Sequence, residues 1–531
     1  MRGQAQWARR FNHVSRQYLV KTLGCKANLT DSQLIEQALQ NQGWTPGSQR
    51  GQGVQEERSD IQLCIVNTCT VTNEADKQSR KMAESLARQY PHASIVVTGC
   101  AVEVDPNAYT SSQKIHYVVG NQDKHQLVHL VLKELEKKEP PAPSLNLSLN
   151  SARRLGSVVP YSEILSQHPE DREWPLISES FLTPPVHLHG LRTRSFLKIQ
   201  EGCDAFCTYC IIPYGRGPSR SLNPDEVVRQ VRSLVSQGVK EIVITGTNIG
   251  DYGTDGDSHD PSQPDHLSQL LKRILDETDL QRLRVSSLDP TEITPQMMRL
   301  MESDSRFCPH FHVSVQSPHS RILRLMKRKY RAEEVRDRLL QIAELKAPVG
   351  GVFVGMDLIT GFPGETEEEF QWTFETLSAL PWTKLHVFPY SERSSTPATR
   401  LPGSVPQSVR VDRCRALNKL SFERQKSHYE SILRQCRQSG ILLRDVLVES
   451  IPKEGWSGGY TPNYLRVLFA NPEKITSRHD LIDVEALDVM IDRNGAGGGA
   501  GSGGDVAMVC KLALRDDSVE RAKCIKVLDR N

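Results

Sequence analysis

Apolar residues recur along this chain at two spacings, and from Tyr18 onward the two alternate. Runs of strand length rich in Val, Ile and Leu fall at 18–23, 61–66, 94–98 and 117–119. Between them, stretches near 30–42, 74–89 and 123–137 carry apolar positions three and four apart, as on one face of a helix. Alternating strand and helix predict an open, mostly parallel α/β sheet domain over 18–138. After 195 the alternation repeats six times, with strands expected at 195–201, 241–246, 282–287, 310–316, 353–360 and 384–390, each but the last followed by a helical pattern. Six units are too few to close an eight-fold barrel, so a partial (β/α)6 barrel, open on one side, is expected over 195–438, ending in a helix. The pattern then shortens to strands at 441–449, 464–469 and 480–485 between Gly-rich turns, which predicts a small β-barrel over 439–490.

Three stretches lack this order. Residues 1–17 read as a disordered tail, although Arg-bearing and acid-free composition is also the signature of an organelle transit peptide. Residues 139–194, with Pro140-Pro-Ala-Pro143 and Pro184-Pro185, read as a linker or irregular insertion. Residues 491–531 read as a Gly-rich linker and tail. The whole is an α/β multidomain chain, and 531 residues are too many for one core.

Composition narrows the setting. No stretch approaches 18 consecutive apolar residues, so no membrane partner is expected, and no apolar h-region follows the N-terminus. A cytoplasmic, reducing location follows, and there the twelve cysteines are metal ligands or buried thiols before they are disulfides.

Two sets of cysteines then stand out. Cys203, Cys207 and Cys210 lie on one short loop directly after the first strand of the second series. Three thiolates can hold a four-iron cluster and leave one iron open to a ligand such as the amino and carboxylate groups of S-adenosylmethionine. A structural zinc site is the other reading of Cys-x-x-Cys, but no Cys or His occurs between Cys210 and His259 to complete it. In the first domain Cys25, Cys69 and Cys100 each follow a strand. The carboxyl ends of an open parallel sheet share one edge, so these three can converge on a second cluster; three separate half-buried cysteines would look the same. Cys64, inside an apolar run, reads as core, and Cys308, Cys414, Cys436, Cys510 and Cys524 share no ligand spacing.

The carboxyl-end face of the second series also receives Thr245-Gly246-Thr-Asn248, Gln316 and Gly361-Phe-Pro-Gly-Glu365, where backbone could meet an adenine or a methionyl amine; plain turns are the alternative. Net charge is +2, which gives no global attraction to nucleic acid. Local charge differs: the run Arg321 to Arg331 has six basic residues and no acid, and 405–438 carries Arg410, Arg413, Arg415, Lys419 and Arg424. Each reads as a phosphate-contacting face or a solvated helix face. Tyr460, Tyr464 and Arg466 could stack on RNA or simply build the barrel.

With both cysteine sets placed, residues 18 to 490 resemble the methylthiotransferases of the radical S-adenosylmethionine superfamily. The resemblance rests on Thr22-Leu-Gly-Cys-Lys-Ala-Asn28, Asn67-Thr-Cys-Thr-Val-Thr72, Val97-Thr-Gly-Cys100, Cys203 to Gly217, Leu288-Asp-Pro290, Phe311-His-Val-Ser-Val-Gln-Ser317 and Asp357-Leu-Ile-Thr-Gly-Phe-Pro-Gly-Glu-Thr366. Gly24-Cys25-Lys26 with Asn28, Val119-Gly-Asn121 and the run ending at Ser221 are most similar to the branch acting on N6-threonylcarbamoyladenosine in tRNA. They are less like the branches for isopentenyladenosine or for a ribosomal protein aspartate. Ala27, Ala101-Val102 and the long linker and tail depart from the family pattern. The resemblance implies a radical SAM barrel, a terminal TRAM module, and two [4Fe-4S] clusters, on Cys203, Cys207 and Cys210 and on Cys25, Cys69 and Cys100. It also implies adenosylmethionine contacts at Tyr209, Thr245, Gly246, Asn248, Gln316, Gly361 and Phe388. One adenosylmethionine would be the methyl donor and another the radical source. A tRNA anticodon stem-loop, an electron donor such as flavodoxin or ferredoxin, and a sulfur source are the implied partners. A non-enzymatic iron-sulfur RNA-binding protein is the reading of another class.

Overall fold

The computed structural model describes residues 16–47, 61–110, 112, 114–135, 145–146, 193–254, 265–393, 395–450, 456–470, 480–492 and 505–512. The chain divides into two compact units, 1–187 with Tyr214–Gly217, and the remainder. The tail expected at 1–17 and most of the stretch 139–194 lie outside the described residues, although Gln17 already opens the first strand and Leu145–Asn146 forms a short one.

The first unit is a parallel six-stranded sheet. Its strands are β1 (Gln17–Thr22), β2 (Thr45–Pro46), β3 (Ile61–Thr68), β4 (Ser94–Gly99), β5 (Tyr117–Val119) and β6 (Leu145–Asn146), in spatial order β2-β1-β3-β4-β5-β6. The near-continuous apolar run of β3 is explained by burial on both faces. Cys64 and Val66 pack with Ala83 and Leu86 of the helix Asn73–Gln89, while Leu63 and Ile65 pack with Ile35 and Leu39 of the helix Lys26–Asn41. Cys64 is core, as expected, and burial pushes its thiol up to about 12. The helix Asn73–Gln89 starts where it does because Thr72 accepts a hydrogen bond from the Ala75 amide, with Glu74 and Asp76 in the first turn.

In the second unit the six expected strand positions are occupied by parallel strands. They are β7 (Arg194–Lys198) and, after the short antiparallel pair β8 (Gln200–Glu201) and β9 (Arg220–Ser221), β10 (Glu241–Thr245), β11 (Arg282–Val285) continuing into β12 (Ser287–Leu288), β13 (His310–Gln316), β14 (Phe353–Thr360) and β15 (Lys384–Pro389). They form sheets of order β11-β10-β7 and β12-β13-β14-β15, joined by a Leu283–Phe307 bridge. Along β13, β14 and β15 the residues Val313, Val315, Met356, Leu358, Leu385 and Val387 are buried, while His312, Ser314, Asp357, His386 and Phe388 alternate with them on a more open face.

A 33-residue helix, Gln407–Ser439, leads to β16 (Leu443–Ser450), β17 (Trp456–Tyr460), β18 (Arg466–Ala470), β19 (Leu481–Asp492) and β20 (Asp505–Leu512), which close into a barrel of order β16-β17-β18-β20-β19. β20 corrects the expectation that everything after 491 is linker and tail. It runs parallel to β18 and antiparallel to β19, and puts Val506, Met508 and Cys510 into the core shared with Tyr429, Ile432 and Leu433 of the long helix. Cys308, Cys436 and Cys510 are buried, Cys414 is half-buried, and Cys524 lies outside the described residues.

The terminal barrel meets the amino ends of β7, β10 and β11 through a buried ion cluster. Glu241 pairs with Arg282 at 2.6 Å and Arg284 at 2.9 Å. Arg282 donates onward to the carbonyls of Asp445, Tyr460 and Thr461, and Arg284 to that of Pro462. The Arg194 guanidinium lies 5.3 Å from the ring centroids of both Tyr460 and Tyr464, and Tyr464 packs on His310. Tyr460 and Tyr464, stacked on each other at 4.8 Å and half-buried, take part in building this seam.

Candidate functional site

In the first unit the three strand-end cysteines come together. Cys25 stands at the N-cap position of the helix Lys26–Asn41, three residues past β1, Cys69 follows β3, and Cys100 opens the short helix Cys100–Val104 directly after β4. Burial lifts the Cys69 thiol to about 11, with Cys100 and Cys25 adding to the rise against the Val71 amide and Arg216, so Cys25 and Cys100 each lie within electrostatic reach of Cys69. Two glycines permit the approach. Gly24 has φ +94°, and a Cβ there would lie 2.6 Å from Cys69 Sγ. Gly99 has φ +106°, and a Cβ there would meet the Thr68 backbone at 2.5 Å.

A buried polar frame fixes these loops. Asn28 Nδ2 donates to the carbonyls of Leu23 and Thr68, both at 2.8 Å, and Asn67 Nδ2 donates to the Asn28 carbonyl at 2.7 Å. Asp31 accepts from Lys124 Nζ at 3.0 Å and Arg216 Nη2 at 3.2 Å, and Arg216 also reaches Asn28 Oδ1. All three charged residues are at most 3% exposed. Asn121 Nδ2 donates to the Gly215 carbonyl at 2.6 Å and lies 3.5 Å from Cys100 Sγ. Asn28, Asn121 and Arg216 were visible only as letters within motifs. Asp31 and Lys124, 93 residues apart, gave no sequence signal.

In the second unit Cys203, Cys207 and Cys210 occupy one loop after β8, with the Cys210 amide donating to the Cys207 carbonyl at 2.9 Å. Burial pushes the Cys203 thiol well up, and Cys210, Asp251 and Cys207 add to the rise against the Ala205 amide. The loop is tied to the segments that follow β13 and β15. Thr208 bonds the Met326 carbonyl through its amide at 3.0 Å and the Leu325 carbonyl through its hydroxyl at 2.8 Å, and its own carbonyl accepts from Ala398. Among the described residues no three His, Cys, Asp or Glu side chains are placed to hold a single metal ion. The donor chemistry of either trio, three thiols and no oxygen or imidazole, suits the wider span of an iron-sulfur group.

The other expected site residues distribute around this face. Tyr209 packs edge-on to Phe362 at 6.3 Å. Thr245 ends β10, and beyond Gly246 the amides of Thr247 and Asn248 donate to Gln200 Oε1 at 3.0 and 2.8 Å. Asn248 Nδ2 is held by Asp251 at 2.8 Å. Gln316 ends β13 with a left-handed φ of 61°. The Gly361 amide donates to Glu365 Oε2 at 2.7 Å, so that loop is held from within. Phe388 is 49% exposed on β15.

One group beside the triad escaped the sequence reading. Arg328 Nη1 lies 3.0 Å from Cys207 Sγ, its Nη2 binds Asp289, and its Nε meets the Tyr330 hydroxyl at 3.0 Å. Glu292, behind Asp289, is pushed well above the carboxylate range by burial and by Asp289. Arg328 belongs to the run Arg321 to Arg331 read as a phosphate-contacting or solvated face; there Arg324, Lys327, Lys329 and Arg331 are exposed, while Arg321 is paired with Glu369 and Arg328 turns inward. The cations of the helix Gln407–Ser439 divide likewise. Arg410 bonds the Tyr390 and Val405 carbonyls, Arg413 pairs with Glu365 and Glu367, and Arg424 covers Trp382 at 4.2 Å. Of the five cations expected there, Arg415 and Lys419 face outward, each beside an acid of its own helix.

Comparison with known proteins meets this geometry from two sides. Residues 17–120 match the model described as uncharacterized protein family UPF0004, and residues 197–377 that of the radical SAM superfamily. The chain is 33% identical over 464 residues to a protein of Bacillus subtilis named threonylcarbamoyladenosine tRNA methylthiotransferase MtaB, covering 86% of this chain and 91% of that one. It is 33% identical over 429 residues to the protein of the same name in Aquifex aeolicus, covering 81% and 92%. Among solved structures, the radical S-adenosylmethionine methyltransferase TsrM of Kitasatospora setae aligns over 72% of this chain and 77% of that chain, with 17% identity and a TM-score of 0.47.

Proposed function

The chain belongs to the radical S-adenosylmethionine methylthiotransferase family, and from that premise we propose that it methylthiolates carbon 2 of the adenine in N6-threonylcarbamoyladenosine, next to the anticodon of a tRNA. What carries this reading is the pairing of two thiol trios, one in each unit, within a chain that aligns over 86% of its length with a relative of that name. The cytoplasm, where tRNA is modified, is the matching location.

Cys203, Cys207 and Cys210 would hold one [4Fe-4S] cluster, and Cys25, Cys69 and Cys100 a second. When bound, the first supplies the electron that cleaves adenosylmethionine and so the means to take hydrogen from an unactivated carbon, and the second a site for the sulfur to be transferred. The protein's part is placement. Thr208 ties the triad loop to the segments that follow β13 and β15, Arg328 donates to Cys207 Sγ, and Gln200 accepts from the Thr247 and Asn248 amides and so fixes the loop after β10. Tyr209, Thr245, Gly246, Gln316, Gly361 and Phe388 complete the proposed cofactor contacts. In the first unit Asn28 and Asn67 bind the Cys25 and Cys69 loops to each other before any cluster is present. The terminal barrel would act as a TRAM module holding the anticodon stem-loop, with binding that weakens as salt rises. A flavodoxin or ferredoxin would deliver electrons, and a separate donor would restore sulfur.

The test is anaerobic reconstitution followed by iron counting and nucleoside mass spectrometry with a stem-loop carrying N6-threonylcarbamoyladenosine. Methylthiolated nucleoside is expected from the wild type. Changing Cys203, Cys207 and Cys210 together to Ala should abolish 5′-deoxyadenosine formation and leave roughly half the iron, as expected when one of two equal clusters is lost. Full iron in that variant would refute the triad as a cluster site.

A further inference from the structure

The open face of β13, β14 and β15 carries a polar group that neither thiol trio uses. His312 Nε2 meets Asp357 Oδ1 at 2.9 Å, and the His312 and His386 rings stack with centroids 5.1 Å apart. Strand register makes this one patch: His312 stands opposite Gly355, Gly355 opposite Lys384, and Asp357 opposite His386. Gly355, with no side chain, leaves the width across which the two imidazoles face each other. The patch is open, with the His312 and Asp357 side chains 18% and 24% exposed.

Its depth is as informative as its chemistry. His386 precedes the exposed Phe388 by two residues, roughly 7 Å of strand, so the histidines lie below the carboxyl ends of β13 and β15, whose following segments hold the triad loop. In an adenine, C2 and the N6 substituent leave the six-membered ring from different positions. A base that presents C2 to chemistry at the carboxyl ends can therefore send its N6 substituent down the strands. A threonylcarbamoyl group carries a carboxylate, a hydroxyl and a urea N–H. An isopentenyl group carries none of these.

On the substrate reading proposed above, we infer that His386, stacked on the Asp357-held His312, lines the pocket that receives the carboxylate-bearing N6 substituent and so sets which modified adenosine is accepted. The imidazole pair supplies N–H to the carboxylate, and Asp357 accepts from hydroxyl or urea N–H. A site built for hydrogen-bonding groups rejects an analogue that lacks them, because its own polar atoms then lose water without gaining partners.

The experiment compares two anticodon stem-loops, one with N6-threonylcarbamoyladenosine and one with its methyl ester, on reconstituted full-length protein. The wild type should favour the free acid by at least about tenfold in kcat/KM, the scale of one hydrogen bond to a charged group. His386→Ala should lose most of that preference, its kcat/KM on the acid falling toward that on the ester while its iron content is kept, and His386→Gln, which keeps a donor, should retain part of it. A wild type that turns over acid and ester equally overturns the pocket, whatever the variants do. So does an unchanged preference in His386→Ala. A wild type that modifies neither stem-loop overturns the substrate reading itself, and that outcome is distinct from equal turnover of both.

Discussion

Asp31 is the residue on which the first unit's loop frame turns. It is buried beside two cations, and the pair Lys124 and Arg216 would be left uncompensated without it. Asp31→Ala should therefore cost about 3–5 kcal/mol, the usual penalty for stranding buried charge. The shift is read as a lower urea midpoint at unchanged slope. Asp31→Asn, which keeps an acceptor, should cost less. Gly24 makes a second and sharper case. Alanine there must hold φ +94° and find room 2.6 Å from Cys69 Sγ, so Gly24→Ala should lose about 1–3 kcal/mol and bind less iron in the first unit. An alanine variant with full iron would show that the Cys69 loop can yield.

At the level of elements, the seam between β10, β11 and the terminal barrel makes stability depend on acid. Burial raises Glu241, but Arg284, Arg282 and Arg194 outweigh it and hold the carboxyl at about 2. A carboxyl depressed in the fold contributes stability that is fully present above its unfolded value, near 4.5, and is lost as pH falls toward 2. Between those limits the wild type should lose stability more steeply than Glu241→Gln, measured as urea midpoint against pH. Parallel slopes would remove Glu241 from the acid response. The same seam shows what a linear reading can and cannot reach. Strands announced themselves because their apolar runs are local, and the triad because its three cysteines span eight residues. The fate of the cations did not, because Arg413 finds Glu365 across 48 residues and Arg282 finds the Thr461 carbonyl across 179. Arg328 was hidden for the same reason: one of six like charges in a row, it alone turns inward to Cys207.

On the scale of the whole chain, the strand least visible in the sequence closes a domain. β20 follows a Gly-rich run, is eight residues long and has one parallel neighbour, so it lacks the hairpin signal that marks most barrel strands. Yet it closes the barrel by standing between β18 and β19, and it supplies Val506, Met508 and Cys510 to the core. Each buried Val or Met stabilises by about 1.5–3 kcal/mol, and the two freed edges would expose unpaired amides and carbonyls besides. Ending the chain at Asp492 should therefore unfold the terminal barrel while the central sheets persist. Hydrogen exchange should show protection lost over 443–492 and kept over β10 to β14. If that barrel holds the stem-loop, the truncated protein should still cleave adenosylmethionine on its own clusters but bind the stem-loop more weakly, with a shallower salt dependence. Unchanged affinity and salt slope would move the RNA-holding surface elsewhere, and the exposed cations Arg324, Lys327, Lys329 and Arg331 would be the next place to look.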